Sequence, residues 1–144
     1  MKKTLLLLLF CAVCAFAQQE MIYMQGGQSC FRDSSGRLLG NATVNGNRTT
    51  YRDSSGRTTA TATKDGNRTT YRDSSGRLMG VATNEGNRTV FRDANGRIVA
   101  TSYSSGQQTT YRDASGRMMG TSRQDGNRTT FRDANGKLTQ TQSK

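Results

Sequence analysis

The side chains of this chain that could do chemistry recur at a fixed spacing instead of converging on one point. An aspartate follows an arginine every 20 residues, at Asp33, Asp53, Asp73, Asp93, Asp113 and Asp133. The sequence has no histidine, the usual base near neutral pH, and no second carboxylate accompanies each aspartate at a constant spacing. Asp33-Ser34-Ser35-Gly36 supplies one carboxylate, too few oxygen ligands for calcium. The sequence therefore predicts a protein that is not an enzyme and binds neither cofactor nor metal.

The basic side chains indicate a different chemistry. The chain carries 21 Lys and Arg against 10 Asp and Glu, a net charge of +11. Regularly spaced bases on a rigid sheet can follow a phosphate or sulfate chain, so anionic polysaccharide, lipopolysaccharide or extracellular DNA is a predicted partner. The alternative is that these bases pair with neighbouring acids and cover aliphatic side chains. We call the six arginines that precede the aspartates the arginine row: Arg32, Arg52, Arg72, Arg92, Arg112 and Arg132.

A 20-residue repeat must position these groups. Its units begin at Gly26, Gly46, Gly66, Gly86, Gly106 and Gly126 and span 26–45, 46–65, 66–85, 86–105, 106–125 and 126–144. A strict period of this length indicates one supersecondary unit stacked on copies of itself. Since Thr, Gly, Ser, Asn and Arg are abundant and large aliphatic residues are few, we expect a thin β structure with little core.

Residues 1–17 predict a secretory signal peptide. Two lysines precede an apolar run from Leu5 to Val13, and Ala15-Phe16-Ala17 is a small-x-small cleavage motif. Cleavage leaves 19 bases and 10 acids, a net charge of +9, and no segment apolar enough to span a membrane. A lead-in strand at 18–25 then precedes the repeat domain at 26–144. The predicted location is the periplasm, the cell surface or the extracellular space.

Cleavage would also leave Cys30 as the single cysteine of the mature chain. One interpretation is a small strand residue, because the corresponding positions hold Thr50 and Thr70 in later units. The other is an intermolecular disulfide, since exported proteins occupy oxidising compartments.

Each unit holds two strand-like runs and two turns. In the second unit the runs are Asn47–Asp53 and Arg57–Thr63, which are rich in Thr, as strands prefer. Ser54-Ser55-Gly56 separates them, and Lys64-Asp65-Gly66 follows the second run. Both turns are predicted to be three-residue hairpin loops, in which a type I turn is followed by a left-handed Gly.

This turn type fixes the pairing of the strands. Tyr51 is predicted to face Thr59, which in turn faces Tyr71, so one face carries rings alternating with mostly aliphatic neighbours. We call this set the aromatic row: Phe31, Leu39, Tyr51, Thr59, Tyr71, Met79, Phe91, Val99, Tyr111, Met119, Phe131 and Thr139. The opposite face carries the arginine row beside Leu38, Thr58, Leu78, Ile98, Met118 and Leu138.

The two rows predict an all-β fold, an antiparallel meander of about 12 strands built from six strand-turn-strand repeats. The alternative is a β-solenoid with two strands per coil, which would stack Tyr51 on Tyr71 but leave a ladder of arginines uncompensated. A single sheet leaves the aromatic row uncovered, so it must curl on itself or stack on another copy. The polar run Lys137–Lys144 would blunt one edge of the sheet, and Met21–Met24 would form the more adhesive edge.

The repeat resembles the YD-repeat family of bacterial cell-surface and toxin-shell proteins, of the rearrangement-hotspot type. The family unit has an aromatic, an Asp, two variable residues and then Gly-Arg, a pattern matched by Tyr51, Asp53, Gly56 and Arg57. The family's Tyr directly before the Asp is an arginine in all six units. The resemblance implies strand-turn-strand repeats on an exported protein. Two-strand repeats of this length also resemble curli-type fibre subunits more weakly.

The predicted function is a structural or adhesive extracellular protein, a fibre or matrix subunit that associates with itself. Its predicted assembly face is formed by Phe31, Leu39, Tyr51, Tyr71, Met79, Phe91, Val99, Tyr111, Met119 and Phe131. The alternative function is a basic module that binds polyanions through the arginine row.

Overall fold

The structure, a computed structural model, describes residues 27–144. The predicted signal peptide, the lead-in strand and the Met21–Met24 edge lie outside the described residues. Twelve strands follow one another along the described chain, and each is six to eight residues long. They are β1 (Gly27–Asp33), β2 (Leu38–Asn45), β3 (Arg48–Asp53), β4 (Thr58–Asp65), β5 (Arg68–Asp73), β6 (Leu78–Glu85), β7 (Arg88–Asp93), β8 (Ile98–Ser105), β9 (Gln108–Asp113), β10 (Met118–Asp125), β11 (Arg128–Asp133) and β12 (Leu138–Ser143).

The predicted antiparallel meander of 12 strands is confirmed. Each strand pairs antiparallel with the strand before it and the strand after it in the sequence. The solenoid alternative is wrong, because equivalent strands of successive repeats, such as β3 and β5, are separated by β4 and do not stack on each other.

The sheet closes into a barrel, because β1 also pairs antiparallel with β12. The closing register runs from Cys30 opposite Ser143 to Asp33 opposite Gln140. Of the two ways to cover the aromatic row, the chain therefore uses the first, curling on itself. The prediction that the polar last run blunts an open edge is wrong, since β12 has a partner on both sides.

The loop after each odd-numbered strand has the predicted geometry. In the second unit the Asp53 N–H donates to the Arg57 carbonyl at 2.9 Å, and the Gly56 N–H donates to the Asp53 carbonyl at 3.0 Å. Gly56 has φ of 82°, in the left-handed region that a side chain would resist. Because odd-numbered strands all run in one direction, these six loops lie at one end of the barrel, which we call the Asp-loop end.

A β-bulge just beyond each of these loops changes the predicted register. Arg52 faces Thr58 as expected, but Tyr51 faces Ala60, so Thr59 is an extra residue on the bulged strand. The same shift recurs in the other five hairpins of this type. The prediction that aliphatic members of the aromatic row lie opposite the rings is therefore wrong, and it fails at Leu39, Met79, Val99 and Met119.

The loops at the other end of the barrel are shorter than predicted. Asp65 pairs with Arg68, so Gly66 and Asn67 form a two-residue loop in place of the predicted Lys64-Asp65-Gly66. Gly66 has φ of 57°, as the first position of a type II′ turn requires, and such turns match the twist of the strands that they join. Tyr71 consequently faces Ala62, not Thr59.

The core of the barrel is a layer of six rings, four of which lie between small residues. Tyr71, for example, lies between Ala62 on β4 and Gly80 on β6. Small neighbours on both sides leave room for the rings of β3, β5, β7 and β9, whereas the rings of β1 and β11 each face a glutamine of β12. The six ring residues are only 1–8% exposed. The Tyr111 hydroxyl is hydrogen-bonded to the Ser122 hydroxyl at 2.8 Å inside the barrel. The rings are Phe31, Tyr51, Tyr71, Phe91, Tyr111 and Phe131.

Candidate functional site

The repeated aspartates build the loops of the Asp-loop end. Asp73 Oδ1 accepts hydrogen bonds from the N–H groups of Ser75 and Arg77, both at 2.9 Å, and from the Ser75 hydroxyl at 2.7 Å. The two bonds from backbone N–H groups recur in all five of the other loops at this end. One oxygen of each carboxylate is therefore engaged by its own loop, as a short polar side chain at the start of a turn often is.

Each guanidinium of the arginine row is fixed above the loop that follows it. Arg72 Nη1 donates to the Gly76 carbonyl at 2.9 Å, and Arg112 Nη1 donates to the Gly116 carbonyl at 2.8 Å. The same bond is present in the other four units at 2.9–3.4 Å. Since a guanidinium carries five N–H donors, this bond orients the group and leaves donors for a ligand.

A second base follows the glycine of each of these loops, at Arg37, Arg57, Arg77, Arg97, Arg117 and Lys137. These side chains are exposed. Together with the arginine row, twelve bases and six aspartates surround the Asp-loop end, a net charge of +6. The second base was not predicted as part of the row, although its spacing is equally regular, because the row was defined by strand alternation.

Aliphatic side chains lie beside the arginine row on the outer surface, as predicted. Arg72 faces Leu78, Arg92 faces Ile98 and Arg112 faces Met118 across the hairpins. These three aliphatic residues are 40%, 40% and 44% exposed. The stretch of surface from β5 to β10 therefore alternates between charged and apolar side chains, and its apolar members were not predicted to be this exposed.

Three of the arginines at the opposite end of the barrel face acids directly. Arg68 lies opposite Asp65, Arg88 opposite Glu85, and Arg128 opposite Asp125. The Arg88 guanidinium is 3.7 Å from the Glu85 carboxylate, and it lies 5.8 Å from the centre of the Tyr103 ring. Neighbouring charges of opposite sign reduce the attraction of this end for an external anion. The two ends thus differ in how their bases are arranged, not only in number.

The predicted assembly face is not an exposed surface, because its six rings lie inside the barrel. Of its aliphatic members, Val99 and Met119 pack partly against the ring layer, whereas Leu39 and Met79 are 42% and 38% exposed. Cys30, the predicted intermolecular thiol, is half-buried on β1 opposite Ser143 and has no disulfide partner among residues 27–144.

We expect acid to destabilise the barrel through the Asp loops. The Ser35, Ser75 and Ser115 hydroxyls, followed by backbone N–H groups, lower the pKa values of Asp33, Asp73 and Asp113 below the ordinary value of about 3.9. As the pH drops below about 5, the unfolded chain binds more protons than the folded chain, because its aspartates keep the ordinary pKa. The free energy of unfolding therefore falls as the pH is lowered from about 5 to 3. Urea unfolding at pH 7 and at pH 3 measures the loss.

A matched pair of serines provides the control. Ser75→Ala removes the hydroxyl that bonds Asp73, so we expect it to weaken the dependence of stability on acid. Ser55→Ala should leave that dependence unchanged, because the structure shows no hydroxyl bond from Ser55 to Asp53. Equal effects of the two substitutions would contradict this account of the pKa shifts.

Comparisons with known proteins give a fold but no family. No family model matches the chain, and no curated protein matches it. The solved structure of the Arabidopsis thaliana protein AT5G01750 is similar to the chain at a TM-score of 0.54 and 11% identity, covering 81% of this chain and 78% of that one. A chain of the GtfA/B complex bound to UDP and GlcNAc matches at a TM-score of 0.26 and 16% identity, covering 69% of this chain and 23% of that one. A TM-score this low does not indicate a shared fold.

The first of these comparisons supports the closed 12-stranded all-β fold and nothing about function. The resemblance to YD-repeat proteins stays a prediction. Residues 27–144 include no helix with the length and apolar character needed to cross a membrane.

Proposed function

We propose that this chain is an exported, non-enzymatic module that binds polyanions through the Asp-loop end of its barrel. The observation that carries the proposal is the arginine row, in which six exposed guanidiniums are each oriented by a hydrogen bond to the loop that follows. Export is inferred from the N-terminal sequence alone. Anionic polysaccharide, lipopolysaccharide and extracellular DNA are the partner classes considered.

The arrangement of charges favours anion binding over the alternative that the bases are neutralised by neighbouring acids. One carboxylate oxygen of each aspartate at the Asp-loop end accepts hydrogen bonds from backbone N–H groups. The arginines face aliphatic residues or threonine, not acids, across the hairpins. An anion therefore meets guanidiniums that are already oriented, which reduces the entropy lost on binding. Guanidinium also matches phosphate or sulfate oxygens in a two-bond geometry that lysine does not provide.

The other candidate, a self-associating structural or adhesive subunit, has less support. It required an uncovered aromatic row or a free strand edge to propagate assembly. Within residues 27–144 the rings are buried, and β1 and β12 pair with each other. An adhesive role remains compatible with polyanion binding, because a surface polymer can itself be the polyanion.

Retention on immobilised heparin across a salt series tests the proposal. We expect Arg72→Gln, Arg92→Gln and Arg112→Gln combined to lower the dependence of log affinity on log salt by about 3, one for each lost contact. The matched control combines Arg68→Gln, Arg88→Gln and Arg128→Gln, the three arginines that face acids at the opposite end, and removes the same charge. We expect it to change the dependence by less than about 1.

Two outcomes would contradict the proposal. Equal losses from the two triple variants would mean that net charge alone governs retention. Early elution of the unaltered chain with a shallow dependence on salt would mean that it makes few ionic contacts. Thermal unfolding of each variant shows whether the barrel is intact.

A further inference from the structure

We infer that the polyanion bound at the Asp-loop end is a lipid surface rich in anionic phospholipids, which the barrel contacts through β5–β10. The inference rests on the proposed function and adds anionic phospholipid to the classes of polyanion named there. It comes from the juxtaposition of oriented guanidiniums and exposed aliphatic side chains on one stretch of the outer surface. Each of Arg72, Arg92 and Arg112 has an exposed aliphatic residue directly across its hairpin.

The fold itself does not require apolar residues at these positions. The second unit has Thr58 opposite Arg52 and Thr59 in the bulge, and its hairpin has the same loop and the same register. The third unit, with identical geometry, has Leu78 and Met79, which are 40% and 38% exposed. Threonine suits a strand and water better than exposed leucine does. The exposed aliphatic side chains therefore call for a partner that removes them from water.

The spacing suits a broad partner more than a narrow one. Leu78, Ile98 and Met118 are on β6, β8 and β10, so each is two strands from the next, about 10 Å apart at ordinary strand spacing. The patch is therefore about 20 Å wide before curvature is considered. Met79, the bulge residue beside Leu78, adds exposed apolar surface to the patch. A single hydrophilic polymer chain would contact the bases and leave these residues exposed.

An anionic bilayer satisfies both kinds of side chain. Its headgroup phosphates match the oriented guanidiniums and the loop bases Arg77, Arg97 and Arg117, while the hydrocarbon directly beneath receives the aliphatic residues. Arginine is suited to this position because its aliphatic stem lies along apolar surface while its charged group reaches the phosphates. Charge complementarity thus selects anionic lipid, and the aliphatic residues distinguish it from a soluble polyanion.

The test uses vesicles of 30% phosphatidylglycerol in phosphatidylcholine, vesicles of phosphatidylcholine alone, and heparin, each with the full chain. Leu78→Thr, Ile98→Thr and Met118→Thr combined copy the residue at Thr58. We expect this threonine variant to bind the anionic vesicles about tenfold more weakly while eluting from heparin at unchanged salt. The arginine triple variant should weaken binding both to the anionic vesicles and to heparin. Thr58 on β4 borders the patch, two strands from Leu78, so Thr58→Leu extends the apolar surface and should strengthen vesicle binding. This variant keeps the test valid if the threonine variant fails to fold.

The outcomes separate this inference from the proposed function. Unchanged vesicle binding by the threonine variant, or no gain from Thr58→Leu, would overturn the lipid inference while heparin retention still tests the arginine row. Equal binding to phosphatidylcholine alone would overturn it as well. Concentration-dependent sedimentation of the unaltered chain that the threonine variant abolishes, with vesicle binding unaffected, would assign the patch to contact between copies.

Discussion

Phe91→Ala is expected to lower the free energy of unfolding by about 3–5 kcal/mol, the usual cost of truncating a buried aromatic side chain. The Phe91 side chain is 2% exposed, and its cross-strand neighbours are Ala82 and Ala100, both fully buried. Alanine side chains cannot extend into the vacated space. The cavity therefore persists, and the variant falls in the upper part of the range.

Denaturation in urea, followed by circular dichroism, measures this loss against a surface control. Met118→Ala removes a side chain of similar length that is 44% exposed on the outside of the barrel, and we expect a change within about 0.5 kcal/mol. If Phe91→Ala cost no more than Met118→Ala, the ring layer would not be the core of the fold. Phe91→Leu fills part of the cavity and should give an intermediate value.

Local geometry was predictable wherever one residue type dictates it. The Asp-loop end has the predicted loops because Gly56 and its equivalents adopt a conformation that other residues resist, and Asp53 can bond the backbone two residues on. The strict alternation of side chains along β3 then placed Tyr51 on one face and Arg52 on the other. The arginine row and its aliphatic neighbours followed directly from these two facts.

The register beyond the loops was not predictable from the turn type. A constant offset places Thr59 opposite Tyr51, and nothing in the sequence marks Thr59 as the extra residue of a bulge. In the structure the bulge puts Ala60 beside the ring, where a threonine would compete with it for space. The requirement comes from packing within a closed interior, which is not a property of the hairpin alone.

Closure depends on the whole sheet. Bulges bend a strand and increase its twist, and here six of them recur at one end of the sheet. The curvature of six identical hairpins accumulates until β12 meets β1. A prediction made one hairpin at a time recognised that the aromatic row needs cover but could not decide between curling and stacking. The assembly face was predicted on the assumption that the sheet stacks on another copy, whereas in the structure the sheet curls into a barrel.

Deletion of 138–144, which removes β12, is expected to abolish the folded monomer. The deletion leaves β1 and β11 as open edges and exposes the inner face around Phe31 and Phe131, which are 8% and 1% exposed in the closed barrel. We expect the loss to exceed the 4–5 kcal/mol that single substitutions rarely surpass, and so to approach the roughly 5–15 kcal/mol that stabilises a typical domain. Hydrogen exchange and sedimentation velocity measure the outcome, which should be rapid exchange with aggregation through the open edges.

Excision of one internal repeat, 66–85, separates closure from chain length. This excision removes 20 residues, including the ring of Tyr71, whereas the deletion of β12 removes seven. It nevertheless leaves an even number of strands. The first and last strands then still run antiparallel to each other, and identical loops allow β4 to continue into β7. The ten-stranded chain can still close into a barrel, whereas the longer chain that lacks β12 cannot. The amide hydrogens of the ten-stranded chain should therefore exchange more slowly. If the chain lacking β12 stayed cooperative and monomeric, pairing between the ends would not be what stabilises the barrel, and the buried ring layer would have to be maintained by the hairpins alone.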